Sequence, residues 1–143
     1  MSDADLVNLY SGRILALATD IPHLDRLDNP MASVKKRAPH CGSTVTIDVN
    51  VSDGVVSAFG QDVKACALGQ AAASVVGANI IGRTRAELEK ARDQMKAMLV
   101  GGPAPDAPFD GLEVLIPARD YKNRHGSIML ALEASLEAFD QVA

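Results

Sequence analysis

Two cysteines and a histidine in this 143-residue sequence stand at junctions where they could bind a soft metal or attack an electrophile: Cys41, Cys66 and His125. Thiolate sulfur and imidazole nitrogen are the ligands preferred by zinc and by iron in sulfur-rich sites. A thiol beside an imidazole is also the minimal nucleophile and base pair. Cys41 lies in Ala38-Pro39-His40-Cys41-Gly42, immediately before the clearest strand. Cys66 stands where a hairpin ends and an apolar helix begins. A thiol in that position faces free backbone N–H groups and the positive end of the helix dipole, which favour the thiolate. His125 opens the last helix in the same manner. The three residues thus come from one loop-to-strand and two loop-to-helix junctions, places that can converge at one end of a sheet. Lys35-Lys36-Arg37 and the stretch from Arg119 to Arg124 precede Cys41 and His125. If these segments meet, the local field is positive, which depresses thiol pKa values and attracts anionic partners.

Plainer readings stand beside this one. The two cysteines are 25 residues apart and form no CxxC knuckle, and free cysteine is among the most buried residue types. A histidine at a helix start is commonly a polar cap, and His23 and His40 read as solvated loop residues. The basic runs read as wet surface. Catalysis has less support, because a Cys66–His125 pair has no recognisable oxyanion turn or orienting third residue. Neither a GxGxxG motif, a P-loop nor a nucleophile elbow occurs. No catalytic residue is therefore expected.

The elements that must position these groups are legible in the periodicity. Leu6, Leu9, Tyr10, Ile14 and Leu17 recur at helical steps and predict a helix over residues 4–18. Residues 20–30 hold Pro22, Asp28-Asn29 and Pro30 and read as a turn-rich connection into a short extended piece, residues 31–36. Val45, Ile47, Val49 and Val51 alternate with Thr44, Thr46, Asp48 and Asn50, a strand with one face buried and one wet. Asp53-Gly54 predicts a hairpin onto a second strand, residues 55–59. From Cys66 to about Ile81, small and aliphatic residues surround the whole axis, as in a buried helix. Thr84-Arg85-Ala86-Glu87 has capping-box spacing, and Leu88, Ala91, Met95 and Met98 carry that helix to a stop at Gly101-Gly102-Pro103. Residues 103–111 read as an irregular connection and residues 112–116 as a short strand. A last helix from near His125 carries the stripe Ile128, Leu132, Leu136 and Phe139. The expected fold is α+β: one domain over residues 1–143, a small antiparallel sheet of about three strands, and helices packed on one face.

Composition narrows the partners. Aromatic residues are 3% with no Trp, and the net charge is -4, so neither base stacking nor phosphate neutralisation is supplied and no nucleic acid is expected. The acidic start, Met1-Ser2-Asp3-Ala4-Asp5, does not look like a secretory signal, and no stretch reaches 18 unbroken apolar residues. A cytoplasmic protein without a membrane partner is expected. In a reducing compartment the two cysteines are free thiols, metal ligands or a nucleophile rather than a disulfide.

Taken together, these segments resemble the NifU/IscU-type iron-sulfur cluster assembly scaffolds. Tyr10-Ser11 with the helix after it and Asn29-Pro30 resemble the family's opening helix and Asn-Pro turn. Ala38-Pro39-His40-Cys41-Gly42 resembles its first cysteine motif. Val63-Lys64-Ala65-Cys66, followed by the small residues Ala71 to Ser74, resembles its second. Arg83-Thr84 and the next helix fit as well, and His125-Gly126-Ser127-Ile128 aligns with a His-Cys-Ser-Ile stretch.

The resemblance implies a scaffold or carrier holding a labile [2Fe-2S] cluster, or zinc, on Cys41, Cys66 and His125. It also implies a cysteine desulfurase as sulfur donor and apo iron-sulfur proteins as recipients. Three departures stand out: Gly126 replaces the third cysteine, Ser43 replaces the aspartate two residues after the first, and Leu115-Ile116-Pro117-Ala118-Arg119 replaces the Leu-Pro-Pro-Val-Lys chaperone segment. Three ligands remain for four positions, so water, a small thiol, a second chain in a homodimer, or a nearby side chain such as His40 or Ser43 must complete the set. The other reading the departures allow is an interaction module of the same fold, zinc-bound or metal-free, that docks onto assembly partners.

Overall fold

A computed structural model of the protein describes residues 11–39 and 42–142. Helix α1 spans Gly12–Ala18, and Ser11 caps its start by accepting from the Ile14 N–H. Ile14 is fully buried, as its stripe position requires. The expected earlier part of this helix, with Leu6, Leu9 and Tyr10, lies outside the described residues.

Three antiparallel strands follow in the order β1 (Ala32–Arg37), β2 (Thr44–Ser52) and β3 (Val55–Lys64). The expected hairpin turns at Asp53-Gly54, both with positive φ, and β3 runs five residues beyond the expected Phe59. Val34 pairs with Ile47, and Ile47 with Gln61. That register puts Ala32, Val34, Val45, Ile47, Val49 and Phe59 on one face, all buried. Helix α2 (Ala67–Asn79), helix α3 (Arg85–Met98) and helix α4 (His125–Val142) make up the helical side of the fold, and α4 lies across β1 and β2. The Thr84–Glu87 capping box closes the start of α3 as its spacing predicts.

Two expectations need correction. The polar face of β2 is not wet throughout, because Asp48 is fully buried beneath the connection before β1. Its carboxylate accepts from Arg26 Nε at 2.6 Å and Nη2 at 3.0 Å, from Ser33 Oγ at 2.7 Å and from the Leu27 N–H at 3.1 Å. Burial alone would raise the carboxyl's pKa, but these donors, Arg26 foremost, hold it below the ordinary value. Gly60 admits the same connection, since a Cβ there would lie 2.5 Å from Asp25 O.

The second correction concerns residues 112–116, which form no strand. They belong to a 3-10 helix, Asp110–Asp120, whose buried Leu112, Leu115 and Ala118 recur every third residue, the repeat of that helix. Among the described residues no helix is long and apolar enough to cross a membrane.

Candidate functional site

The loop joining β1 to β2 is tightly closed at its base. The Ala38 N–H donates to Ser43 O at 2.8 Å, and the Gly42 N–H donates to Ala38 O at 3.2 Å, with Gly42 at φ +72°. His40 and Cys41 fall between these residues in the sequence and lie outside the described residues. The start of α4 adjoins this loop: a Cβ built on Gly126 would meet the Ala38 Cβ at an ordinary 3.5 Å.

Cys66 is the N-cap residue of α2, half-buried and not in a disulfide. Its Sγ lies 3.6 Å from Ser127 Oγ, on the first turn of α4. Ser127 in turn donates to Ser43 Oγ at 3.0 Å, and both serines are buried. Residues next to the three junctions thus meet through the chain Cys66, Ser127, Ser43, while Cys41 itself lies outside the described residues. Burial pushes the Cys66 thiol up, but the Gly69 N–H, the Ser127 hydroxyl, the Leu68 N–H and the Arg124 guanidinium outweigh it and hold the thiol below its ordinary value. The helix-terminus argument thus applies to this thiol, and the basic stretch before His125 contributes one of the groups.

The Nε2 edge of His125 turns to the preceding 3-10 helix. Its Nε2 lies 3.0 Å from both Ala118 O and Arg119 O. Carbonyl oxygens only accept, so Nε2 carries a proton, and in the neutral ring Nδ1 is then the nitrogen with the lone pair, the division found in metal-binding histidines steadied by a backbone carbonyl. The ring borders two clefts, of about 560 Å3 and about 640 Å3, both also lined by Leu99 and Val100. On a helix, positions 125 and 127 point roughly 200° apart, which accounts for Ser127 rather than His125 meeting Cys66. Among the described residues no three His, Cys, Asp or Glu side chains come together as a metal-binding group. Arg119, read from sequence as wet surface, instead donates Nε to Met98 O at 2.7 Å and also bonds Gly102 O, closing the end of α3.

Sequence reasoning missed Ser127 and Gly69 as members of the site. Ser127 stood in the quoted His125-Gly126-Ser127-Ile128 stretch, but nothing in its spacing marked it as facing Cys66. Gly69 has a role only in three dimensions, because a Cβ there would run into Ser127 Oγ and come within 2.9 Å of the Ala65 Cβ.

Comparison with known proteins follows the same lines. No family model matches the chain. The structure of a nitrogen-fixing NifU-like protein (N-terminal) from Brucella abortus superposes with a TM-score of 0.93, at 42% identity and 96% coverage of both chains. The iron-sulfur cluster assembly scaffold protein IscU of Thermotoga maritima is 24% identical over 135 residues, spanning 94% of this chain and 95% of that protein. A structure described as an iron-sulfur scaffold for the SUF system, from Fervidobacterium islandicum AW-1, shares the fold with a TM-score of 0.83 at 19% identity, covering 93% of this chain and 98% of its own.

Proposed function

The chain belongs to the NifU/IscU-type family of iron-sulfur cluster assembly scaffolds, and from that premise we propose that it holds a labile iron-sulfur cluster as cargo and passes it to apo-proteins. The cluster is of the [2Fe-2S] type, its protein ligands are Cys41, Cys66 and His125, and a cysteine desulfurase supplies the sulfur. The chain works as a single cytoplasmic domain over residues 1–143 and performs no catalysis of its own.

The observation that carries this reading is the setting of Cys66. A half-buried thiol at a helix start, with its pKa held down by two backbone N–H groups, a hydroxyl and a guanidinium, is a sulfur prepared to bind metal. The proton on His125 Nε2 supports it, because Nδ1 is then the nitrogen available to an ion. Cys66 supplies thiolate charge and His125 an imidazole nitrogen, and the base of the β1–β2 loop, Ala38 with Gly42 and Ser43, adjoins the start of α4, Cys41 being the residue before Gly42 in the sequence. Fewer thiolates than a full set bind the cargo less firmly, which suits a protein that must release it.

Anaerobic reconstitution of the full chain with ferrous iron and sulfide tests the reading. The expected result is visible thiolate-to-iron absorption in the parent and its loss in Cys41→Ala and Cys66→Ala. Absence of that absorption from the parent, or its persistence in both variants, would refute the assignment.

A further inference from the structure

A buried helical serine commonly returns its hydroxyl to a carbonyl of its own helix. Ser127 does otherwise. It is 1% exposed, its hydroxyl bonds Ser43 on a different element 84 residues away, and the same oxygen lies 3.6 Å from Cys66 Sγ. The opposing helix is cut to admit it. At Gly69, three residues into α2, any side chain would collide with Ser127 Oγ, lie 2.9 Å from the Ala65 Cβ and 3.2 Å from Ser127 O. An apolar residue at 127 would have filled this space without requiring a polar partner, yet Ser43, 5% exposed, stands behind the hydroxyl as that partner.

Resting on the cluster-scaffold reading, we propose that Ser127 is a positioning residue for the Cys66 sulfur, its hydroxyl backed by Ser43 and directed at Sγ when the sulfur ligates metal. A serine hydroxyl both donates and accepts and its hydrogen rotates freely. When Cys66 is a thiol, S–H can donate to Ser127 Oγ while Ser127 donates to Ser43. When the sulfur is a metal-bound thiolate it can only accept, so Ser127 turns its hydrogen to Sγ and Ser43 donates into the vacated lone pair. The thiol proton is released to solvent as the metal binds, both hydroxyls keep theirs, and Ser127 has a partner in both states. The hydrogen bond fixes the direction of the sulfur lone pairs and withdraws electron density from the thiolate. Such bonds to ligand sulfur tune cluster potential and ligand strength. Cys41 and Cys66 are the two cysteines of the chain, so each thiolate carries more of the binding than in a four-thiolate site, and its orientation matters more.

The test uses the full chain with two probes, zinc alone and a cluster reconstituted from ferrous iron and sulfide. It compares the parent with Ser127→Ala, Ser43→Ala and Cys66→Ala. Zinc affinity is read by competition with a chromophoric chelator, and the cluster by its midpoint potential. Ser127→Ala is expected to weaken zinc about tenfold, the lower end of what outer hydrogen-bond partners of metal ligands contribute. It should also move the potential to more negative values, because loss of an O–H···S bond destabilises the reduced, more negative cluster. Ser43→Ala should shift both readouts in the same direction by less. A purely structural role would alter the unfolding midpoint and leave the potential unmoved.

If the parent forms a cluster that Cys66→Ala abolishes, while Ser127→Ala matches the parent in affinity and potential, the Ser127 assignment is overturned and the scaffold reading stands. If the parent forms no cluster but binds zinc through Cys66 with the tenfold loss in Ser127→Ala, the cluster reading falls and Ser127 keeps its role. If Cys66→Ala changes neither probe, both are refuted.

Discussion

Replacing Gly69 with alanine tests whether α2 and α4 are packed as closely as the site requires. Alanine in place of glycine ordinarily stabilises a helix by about 0.5–1 kcal/mol, through lost backbone freedom in the unfolded chain. At position 69 the new Cβ would overlap Ser127 Oγ, with the Ala65 Cβ at 2.9 Å and the Ser127 carbonyl at 3.2 Å. Ser127 is buried and bonded to Ser43, and the carbonyl belongs to α4 itself, so relief requires the two helices to separate by several tenths of an ångström. Overpacking of this kind costs about 1–3 kcal/mol. The balance is a net loss of about 1–2 kcal/mol. Urea unfolding followed by circular dichroism measures it, and a chain of this length should also melt about 3–6 °C lower. Gly12→Ala is the internal control, since a Cβ there meets nothing within 4 Å among the described residues. It should be neutral or stabilising by up to about 0.5 kcal/mol. A Gly69→Ala protein as stable as Gly12→Ala, with unchanged zinc affinity, would show that α4 does not press on the Cys66 helix as described.

Two further outcomes follow from other parts of the structure. Asp48→Ala removes a fully buried carboxylate that accepts from Arg26, Ser33 and the Leu27 N–H. Because the Arg26 side chain is 51% exposed and can rehydrate, the loss should be about 2–4 kcal/mol rather than the full penalty of a stranded buried charge. The parent carboxyl is held below its ordinary value, so its contribution is present above about pH 4 and disappears as pH falls through the folded-state pKa. Asp48→Ala should therefore show a shallower acid limb when unfolding free energy is measured from pH 7 down to pH 3, and an unchanged limb would contradict the assignment. Gly126→Cys adds a third thiolate at a place where, among the described residues, a Cβ meets only the Ala38 Cβ, at 3.5 Å. The variant should fold like the parent and retain a reconstituted cluster at least about tenfold longer under chelator challenge. Equal decay of the chromophore would count against position 126 facing the cluster.

Periodicity determined most of the architecture. Alternation in β2, the capping box at Thr84, the stripe of α3 and the Asp53-Gly54 turn are local patterns set by two- and 3.6-residue repeats and by backbone sterics, and each is found where the sequence placed it. The strand expected over residues 112–116 is a 3-10 helix instead, because a short apolar run is compatible with several conformations and packing decides among them. The residue types and junctions of Cys66 and His125 were likewise readable, since a cysteine before a small-residue helix and a histidine opening another are local facts.

What tertiary packing alone decided is which atoms meet. Alternation marks Asp48 as wet, yet Arg26 and Leu27, 22 and 21 residues earlier in the chain, close over it. Ser127 looked like one polar residue in a helix start, yet the crossing of α4 over α2, allowed by the bare Gly69, sets its hydroxyl between Cys66 and Ser43. The reason is the range of the forces involved. Propensity and hydrophobic period act over a few residues and leave a trace in the string, whereas a hydrogen bond between groups 61 or 84 residues apart depends on how closely two backbones approach.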